Sequence, residues 1–143
     1  MSPAPQNIHQ LILNKINYGL LRFLDMNNAG EVRIAPYDVY LSHRNILQPD
    51  IIFIANENLH LIEEKGLVGV PDIVVEILSP GTAYIDAGKK KDIYEEYGVK
   101  EYFMVDPVNK NVTALILKEK QFIETEQTTG SFFSNILNTT IIF

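Results

Sequence analysis

The 143-residue sequence contains no cysteine, and this absence excludes several classes of chemistry. A disulfide framework, a thiolate zinc site, an iron–sulfur cluster and a cysteine nucleophile all require sulfur ligands or thiols that the chain does not have. The sequence also lacks any run approaching the ~18 apolar residues of a membrane span, and its first residues, MSPAPQN, show no positively charged region followed by an apolar block. We therefore expect a cytoplasmic protein that does not enter a membrane, with chemistry based on oxygen and nitrogen.

Positive charge is scarce as well, because 12 Lys and Arg face 18 Asp and Glu, for a formal net charge of −6. Non-specific affinity for nucleic acid comes mainly from Lys and Arg side chains that displace counterions. Any nucleic-acid site must therefore be local. The hydrophobic share of 46% and the length predict one globular domain over residues 1–143, with residues 1–7 as a flexible arm.

Hydrophobic spacing predicts an α/β fold, in which a mixed β-sheet is flanked by α-helices. Apolar residues at three- and four-residue steps from Ile8 to Leu24 predict an amphipathic helix. A second helix is expected from Ile85 to Tyr97, after a turn at 79–81 and before Gly98 at the position that ends a helix. The short apolar segments IIFIA and IVVEIL are typical of central strands covered on both faces.

Further β-strands are predicted on both sides of this central pair. The segment EVRIAPYDVYL reads as a strand bent at Pro36 that pairs in a hairpin. Residues 56–69 read as a connection with one helical turn. EYFMVDP and VTALIL predict two more strands, and two β-like runs follow near Phe122 and Ile141.

Carboxylates interrupt the central strands. Glu76 lies between Val75 and Ile77, where a buried charge is costly unless it is paired or binds a metal. Asp50, at the start of the neighbouring predicted strand, is its natural partner, since adjacent strands are about 5 Å apart. Two carboxylates and a backbone carbonyl, here that of Ile77, are suited to Mg²⁺ or Mn²⁺. The alternatives are a turn role for Asp50 and a core salt bridge for Glu76.

A third acid, Asp72, shares the face of Glu76 but lies roughly 13 Å away along the strand. That separation is too long for one cation to be shared. Asp72 follows Pro71 at a strand entrance, so a turn role is favoured for it.

The second helix places Asp86, Lys90 and Tyr94 along one stripe. Lys90 is expected to reach the carboxylate pair, where its charge would orient an attacking water or stabilise a phosphoryl transition state. The alternative is an exposed Asp86–Lys90 ion pair. Lys89 and Lys91 point about 100° to either side and are candidates for contacts with nucleic acid.

Five ordered segments resemble the Uma family of restriction endonucleases, from about His9 to the C-terminus. That family is similar to the PD-(D/E)xK nuclease superfamily, whose members hydrolyse phosphodiesters with Mg²⁺ on a mixed sheet flanked by helices. The segments are GEVRIAPYDVYL, QPDIIFI, GVPDIVVEILSPGT, DAGKKKDIYEEYGVKEYFMVDP and SNIL.

The resemblance implies catalytic roles for Asp50, Glu76 and Lys90. The superfamily usually carries its lysine two residues after the second acid, and Leu78 stands there in this chain. Uma-type sequences carry a lysine in the following helix, which corresponds to Lys90, with Asp86 and Tyr94 as supporting residues.

Two other residues belong to the same pattern. Asp38 either extends the acidic cluster or caps the bend at Pro36. His9 either binds phosphate or packs at the edge of the first helix, and the packing role is the commoner one for such a position.

The sequence thus predicts a metal-dependent endonuclease that acts on DNA. A homodimer is expected only because a C2 pair most easily cuts both strands of a duplex, and no feature of the sequence indicates it. The alternative is a decayed nuclease fold that acts as a nucleic-acid or protein interaction module, with Leu78 as a sign of decay.

Overall fold

The computed structural model describes residues 7–79 and 83–143, with the side chains of 83–86 left out. The predicted arm, apart from Asn7, and most of the predicted turn at 79–81 lie outside these residues. The described part contains the α-helices α1 (Asn7–Met26) and α2 (Ala83–Tyr97), a 3₁₀ helix (Asn56–Leu61) and thirteen strands. The strands are β1 (Gly30–Ile34), β2 (Val39–Tyr40), β3 (Ile46–Leu47), β4 (Ile51–Ala55), β5 (Ile62–Glu63), β6 (Gly66–Val68), β7 (Ile73–Ile77), β8 (Glu101–Val105), β9 (Asn111–Lys118), β10 (Gln121–Glu124), β11 (Thr128–Thr129), β12 (Ser131–Ser134) and β13 (Thr139–Ile142).

The main sheet has the order β1-β4-β7-β8-β9-β10, with β11 paired to β9. Strands β7 and β8 are parallel and are connected through α2, whereas the other pairs are antiparallel. The predicted mixed sheet flanked by helices is therefore confirmed. The two apolar segments expected to be central are β4 and β7, and every residue in both is buried.

The hairpin predicted for the segment after Gly30 is only half right. Strand β1 pairs with β4, and only the part after Pro36 turns back on itself, as β2 pairs with β3. Pro has no N–H to donate and fixes its own φ, so the chain leaves the main sheet there. Gly30 itself is required by close packing, because a Cβ at this position would lie 2.1 Å from the carbonyl oxygen of Ile54.

A small second sheet, of order β3-β2-β6-β5, was not predicted. Part of it comes from residues 56–69, where the expected helical turn is the 3₁₀ helix and the rest forms the β5–β6 hairpin. Strands of two or three residues are too short to show an alternating hydrophobic pattern. Strand β11, with two residues, was missed for the same reason, and the four-residue strand β12 was not predicted either.

The main sheet separates two hydrophobic cores. On one face, α1 and the β12–β13 ribbon pack against alternate residues of the central strands, including Phe53, Val75 and Phe103. On the other face, α2 and the small sheet cover Ile52, Val74 and Tyr102 among others. Because residues alternate along a strand, Asp50 and Glu76 fall on the second face, towards α2.

Helix α2 ends as the sequence predicts. Gly98 has φ +89°, and its N–H donates to the carbonyl of Glu95 while Val99 N–H donates to that of Tyr94. This pair of hydrogen bonds forms a Schellman motif, which needs a left-handed residue at its centre. The motif sets the direction in which the chain enters β8.

The SNIL segment forms the turn between β12 and β13 and holds a buried carboxylate. Ser134 Oγ donates to one oxygen of Glu101 at 2.6 Å, and Asn135 N–H donates to the other at 2.8 Å. Burial raises the pKa of Glu101 and outweighs the opposing effect of these hydrogen bonds. The segment that contributed to the family resemblance thus fastens the terminal ribbon to β8.

Candidate active site

Asp50 and Glu76 lie opposite each other where the register of β4 with β7 runs out. The last pair in that direction is Ile51 with Val75. The N–H of Asp50 donates to Oε1 of Glu76 at 2.8 Å, and the N–H of Ile77 donates to Oδ2 of Asp50 at 2.7 Å. The two carboxylates expected to meet therefore do so, on one face and at one end of the sheet.

Helix α2 brings a cation to this pair. Lys90 Nζ lies 2.8 Å from Oε2 of Glu76, and the side chain of Lys90 keeps 38% of its surface exposed while that of Glu76 keeps 6%. Tyr94, one turn further along α2, directs its hydroxyl at the same oxygen from 3.4 Å. Lys90 and Tyr94 thus share the face of α2 that the sequence predicted, and that face meets the acids.

Burial dominates the electrostatics of Glu76. Loss of hydration raises the pKa of Glu76, the charge of Lys90 opposes this, and the charge of Asp50 adds to it. Burial also raises the pKa of Tyr94 far above its usual range, so the phenol stays protonated and serves as a donor. A buried carboxylate whose pKa is shifted by burial and by a specific charged partner is typical of functional sites.

His9 approaches the pair from the other helix. It lies in the first turns of α1, is 8% exposed, and its Nε2 is 3.4 Å from Oδ2 of Asp50. The hydrogen bond with Asp50 raises the pKa of His9 against the opposing effect of burial. The structure therefore gives His9 a specific partner in the site, which sequence reasoning missed because no local spacing connects the two residues.

Other predicted residues stand further out. Asp38 accepts a hydrogen bond from Gln48 Nε2 at 2.8 Å, and none of its described contacts is with Asp50 or Glu76. Lys89 is exposed and Lys91 is half-buried. The side chain of Asp86 lies outside the described residues. Leu78 follows β7, and its N–H donates to the carbonyl of Val105.

Asp72 occupies the opposite end of β7, as the strand spacing predicts. Its carboxylate is 3% exposed, accepts hydrogen bonds from Ala55 N–H and Asn58 Nδ2, and lies 3.2 Å from Lys100 Nζ. These partners fix the entrance of the strand. Asp72 is thus a structural residue with its own cation.

The residues at the carboxylate pair fit a divalent cation with few protein ligands. The side chain of Asp50 is 19% exposed, so it is open to solvent beside the more deeply buried Glu76. Within residues 7–79 and 83–143, no three His, Asp or Glu side chains come close enough to form a metal site by themselves. Mg²⁺ suits such a setting, since it commonly keeps several waters and takes one or two carboxylates. The candidate ligands are Asp50, Glu76 and the backbone of Ile77.

The comparison with solved structures finds the same fold in another protein. The chain is similar to a structure described as "a putative nuclease belonging to DUF820" from Anabaena variabilis ATCC 29413, with a TM-score of 0.75. The match covers 96% of this chain and 78% of the other, at 15% identity.

The family comparison is more specific. Residues 1–137 match the model of the family described as "Uma2: Putative restriction endonuclease", and the chain belongs to that family. The resemblance inferred from the sequence is therefore confirmed. The curated proteins gave no match. No helix in the described part of the chain is long and apolar enough to cross a membrane.

Proposed function

We propose that this chain is a divalent-metal-dependent endonuclease that hydrolyses DNA phosphodiester bonds. The observation that carries the proposal is the meeting of Asp50, Glu76 and Lys90, which come from the residue before β4, from β7 and from α2. Membership of the restriction endonuclease family supports the same class of reaction. In this proposal Asp50, Glu76 and the Ile77 carbonyl hold Mg²⁺ or Mn²⁺.

The bound cation would supply a water of lowered pKa and a positive charge beside the phosphate. Lys90 takes the role of the missing strand lysine at Leu78. Its Nζ is anchored by Glu76 and its stem is partly exposed, so it can turn towards a phosphate or a nucleophilic water without crossing the core. A positive charge fixed there stabilises the negative charge that develops on the phosphoryl oxygens.

Two neighbouring residues have supporting roles. Tyr94 hydrogen-bonds Oε2 of Glu76, and His9 on α1 orients Asp50 through its Oδ2. Asp38 and Asp86 are proposed as supporting residues from the family resemblance alone.

DNA is proposed as the substrate, with Lys89 and Lys91 on α2 contributing phosphate contacts. A homodimer would place two such sites on the two strands of a duplex. The negative net charge agrees with weak binding, because few cations are present to displace counterions.

One observation favours a second candidate, an interaction module with a decayed site. Leu78 stands where the superfamily has its lysine, and Glu76 is already neutralised by Lys90. In that case the ion pair would only stabilise the packing of α2, and neither metal nor cleavage would be observed.

Nicking of supercoiled plasmid tests the proposal. The protein is assayed with Mg²⁺, with Mn²⁺ and with EDTA, beside Asp50→Ala and the matched variant Asp25→Ala, which removes an exposed carboxylate at the end of α1. We expect nicking that needs metal, survives in Asp25→Ala and is lost in Asp50→Ala. Equal nicking by Asp50→Ala would overturn the site. Absence of both nicking and metal binding in the unaltered protein would favour the interaction module.

A further inference from the structure

A groove of about 390 Å³ lies on the small sheet, away from the carboxylate pair. It is formed by the end of β2, the β2–β3 turn, the start of β3 and the β5–β6 hairpin. Tyr40, Ser42, His43 and Lys65 provide its polar and aromatic lining, and Gly69 leaves part of the lining without a side chain. None of the described residues that line it is acidic.

The lysine that lines this groove is held in place, and an exposed arginine lies beside it. Lys65 Nζ lies 4.5 Å from the centre of the Tyr40 ring, a cation–π contact that fixes an otherwise mobile side chain. Arg44 is exposed in the adjoining turn, where its N–H donates to Ser42 Oγ. Glu63 and Glu64 precede Lys65 in the chain and are exposed outside the lining. The lining itself therefore carries one positive charge, that of Lys65, and no negative charge.

The β2–β3 hairpin connects this groove physically to the proposed active site. At its base, Gln48 bonds to Asp38, and Asp50 follows two residues later. At its tip, Tyr97 of α2 bonds through its hydroxyl to Asn45 Nδ2 at 2.9 Å and to Ser42 Oγ at 3.0 Å. The groove is thus fastened to the helix that carries Lys90.

The spacing suits a polymeric phosphodiester. Ile46 lines the groove and is four residues from Asp50, which an extended chain spans in at most ~14 Å. The phosphates of one strand of a DNA duplex advance about 3.4 Å each along the helix axis, so a separation of at most ~14 Å corresponds to no more than about four nucleotides.

We propose that the groove between the β2–β3 turn and the β5–β6 hairpin binds the phosphodiester backbone of DNA, a few nucleotides from the bond that is cut. Lys65 and Arg44 contact phosphates by charge, and Ser42 and His43 add hydrogen bonds. This inference rests on the proposed nuclease function, since it extends the substrate path from the same site. It adds a second set of cations to those of α2.

Fluorescence anisotropy with a short fluorescein-labelled DNA duplex tests this groove, with EDTA present so that cleavage cannot interfere. Lys65→Gln is compared with Lys118→Gln, which removes the same charge from an exposed position on β9. We expect Lys65→Gln to raise Kd about threefold to tenfold and to lower the slope of log K against log salt by about 0.9, the value for one lost phosphate contact. Lys118→Gln should leave both unchanged.

The ring of Tyr40 provides a second comparison. Tyr40→Leu should weaken DNA binding because Lys65 loses its cation–π contact, and Tyr40→Phe, which keeps an aromatic ring, should bind DNA like the unaltered protein. Circular dichroism establishes that each variant is folded. Equal affinities for Lys65→Gln and Lys118→Gln would overturn the groove while leaving metal-dependent nicking untouched. Absence of nicking in the unaltered protein, with the Lys65 effect intact, would instead overturn the nuclease and retain the DNA site.

Discussion

Asp50 and Glu76 are held together by two hydrogen bonds, each from a backbone N–H to a carboxylate oxygen. The N–H of Asp50 donates to Glu76 Oε1, and the residue after Glu76 returns an N–H to Asp50 Oδ2. Each carboxylate therefore takes the place of a carbonyl where the β4–β7 ladder would otherwise continue. Two like charges that repel each other are kept at a fixed separation by the sheet itself, which prepares the pair for a cation.

Replacement of Glu76 with Gln should abolish cleavage and keep the fold. The amide retains the size of the side chain and its oxygen can still accept from Asp50 N–H, and removal of the charge relieves repulsion with Asp50 and the cost of burial. Its NH2 group then faces the donors Lys90 and Tyr94, so the ion pair with Lys90 is lost and this loss offsets the gain. We expect the protein to stay folded, as measured by circular dichroism, and isothermal titration with Mn²⁺ to show weakened binding. Cleavage at the original rate would exclude Glu76 from the site.

Lys90→Ala should lower kcat strongly while leaving the metal requirement in place. Lys90 occupies Oε2 of Glu76, so its removal frees that oxygen, and the half-saturating Mg²⁺ concentration should stay equal or fall. Lys89→Ala is the comparison on the same helix, because loss of its proposed phosphate contact should weaken DNA binding and leave kcat unchanged. Single-turnover cleavage against metal concentration measures both quantities. An equal loss of kcat in the two variants would contradict the assignment of this role to Lys90.

Two substitutions at Tyr94 distinguish the contribution of its ring to stability from that of its hydroxyl group. The ring is fully buried and packs edge-on against Tyr102 at a centroid distance of 5.0 Å. Tyr94→Phe keeps this packing and removes one long hydrogen bond, so we expect a loss of about 1 kcal/mol or less. Tyr94→Ala should cost about 3–5 kcal/mol. Urea unfolding measures both losses, and a similar loss for the two variants would contradict the packing role.

Much of the fold could be predicted because long periodic segments dominate it. The spacing from Ile8 to Leu24 and the apolar runs of β4 and β7 specify elements whose burial leaves little choice. The small sheet could not be predicted in this way, since β2 and β3 are two residues long and are held by tertiary contacts. Its strands pair with partners that are distant in sequence, as β2 does with β6, and Tyr97 of α2 bonds to the β2–β3 turn.

The candidate site, too, could be predicted only in part. Glu76 stood out because a charge inside an apolar strand needs a partner, and strand adjacency led to Asp50. The contact of Lys90 with Glu76 depends on how α2 crosses the sheet, which the sequence does not specify. The contact of His9 with Asp50 depends on where α1 begins over the sheet, and spacing along the chain contains no information on that.

Glu101 provides a test of buried charge away from the site. Its native pKa lies above the ordinary value of 4.5 because burial disfavours the carboxylate. Below pH 4.5 the acid is protonated in both the native and unfolded states. As the pH rises from there, the unfolded chain ionises freely and the native protein does not, so wild-type stability falls until the native pKa is passed and then levels off.

Glu101→Gln should remove that fall. The amide can accept from Asn135 N–H and donate to Ser134 Oγ, so the β12–β13 turn keeps its anchor without a buried charge. The free energy of unfolding of the variant, minus that of the wild type, should increase with pH above 4.5 and then become constant, by about 1.4 kcal/mol for each unit by which the native pKa is raised. Urea unfolding at a series of pH values measures this difference. A difference that stays constant with pH would mean that Glu101 ionises as easily in the native protein as in the unfolded chain, and that the hydrogen bonds of the SNIL turn fully offset its burial.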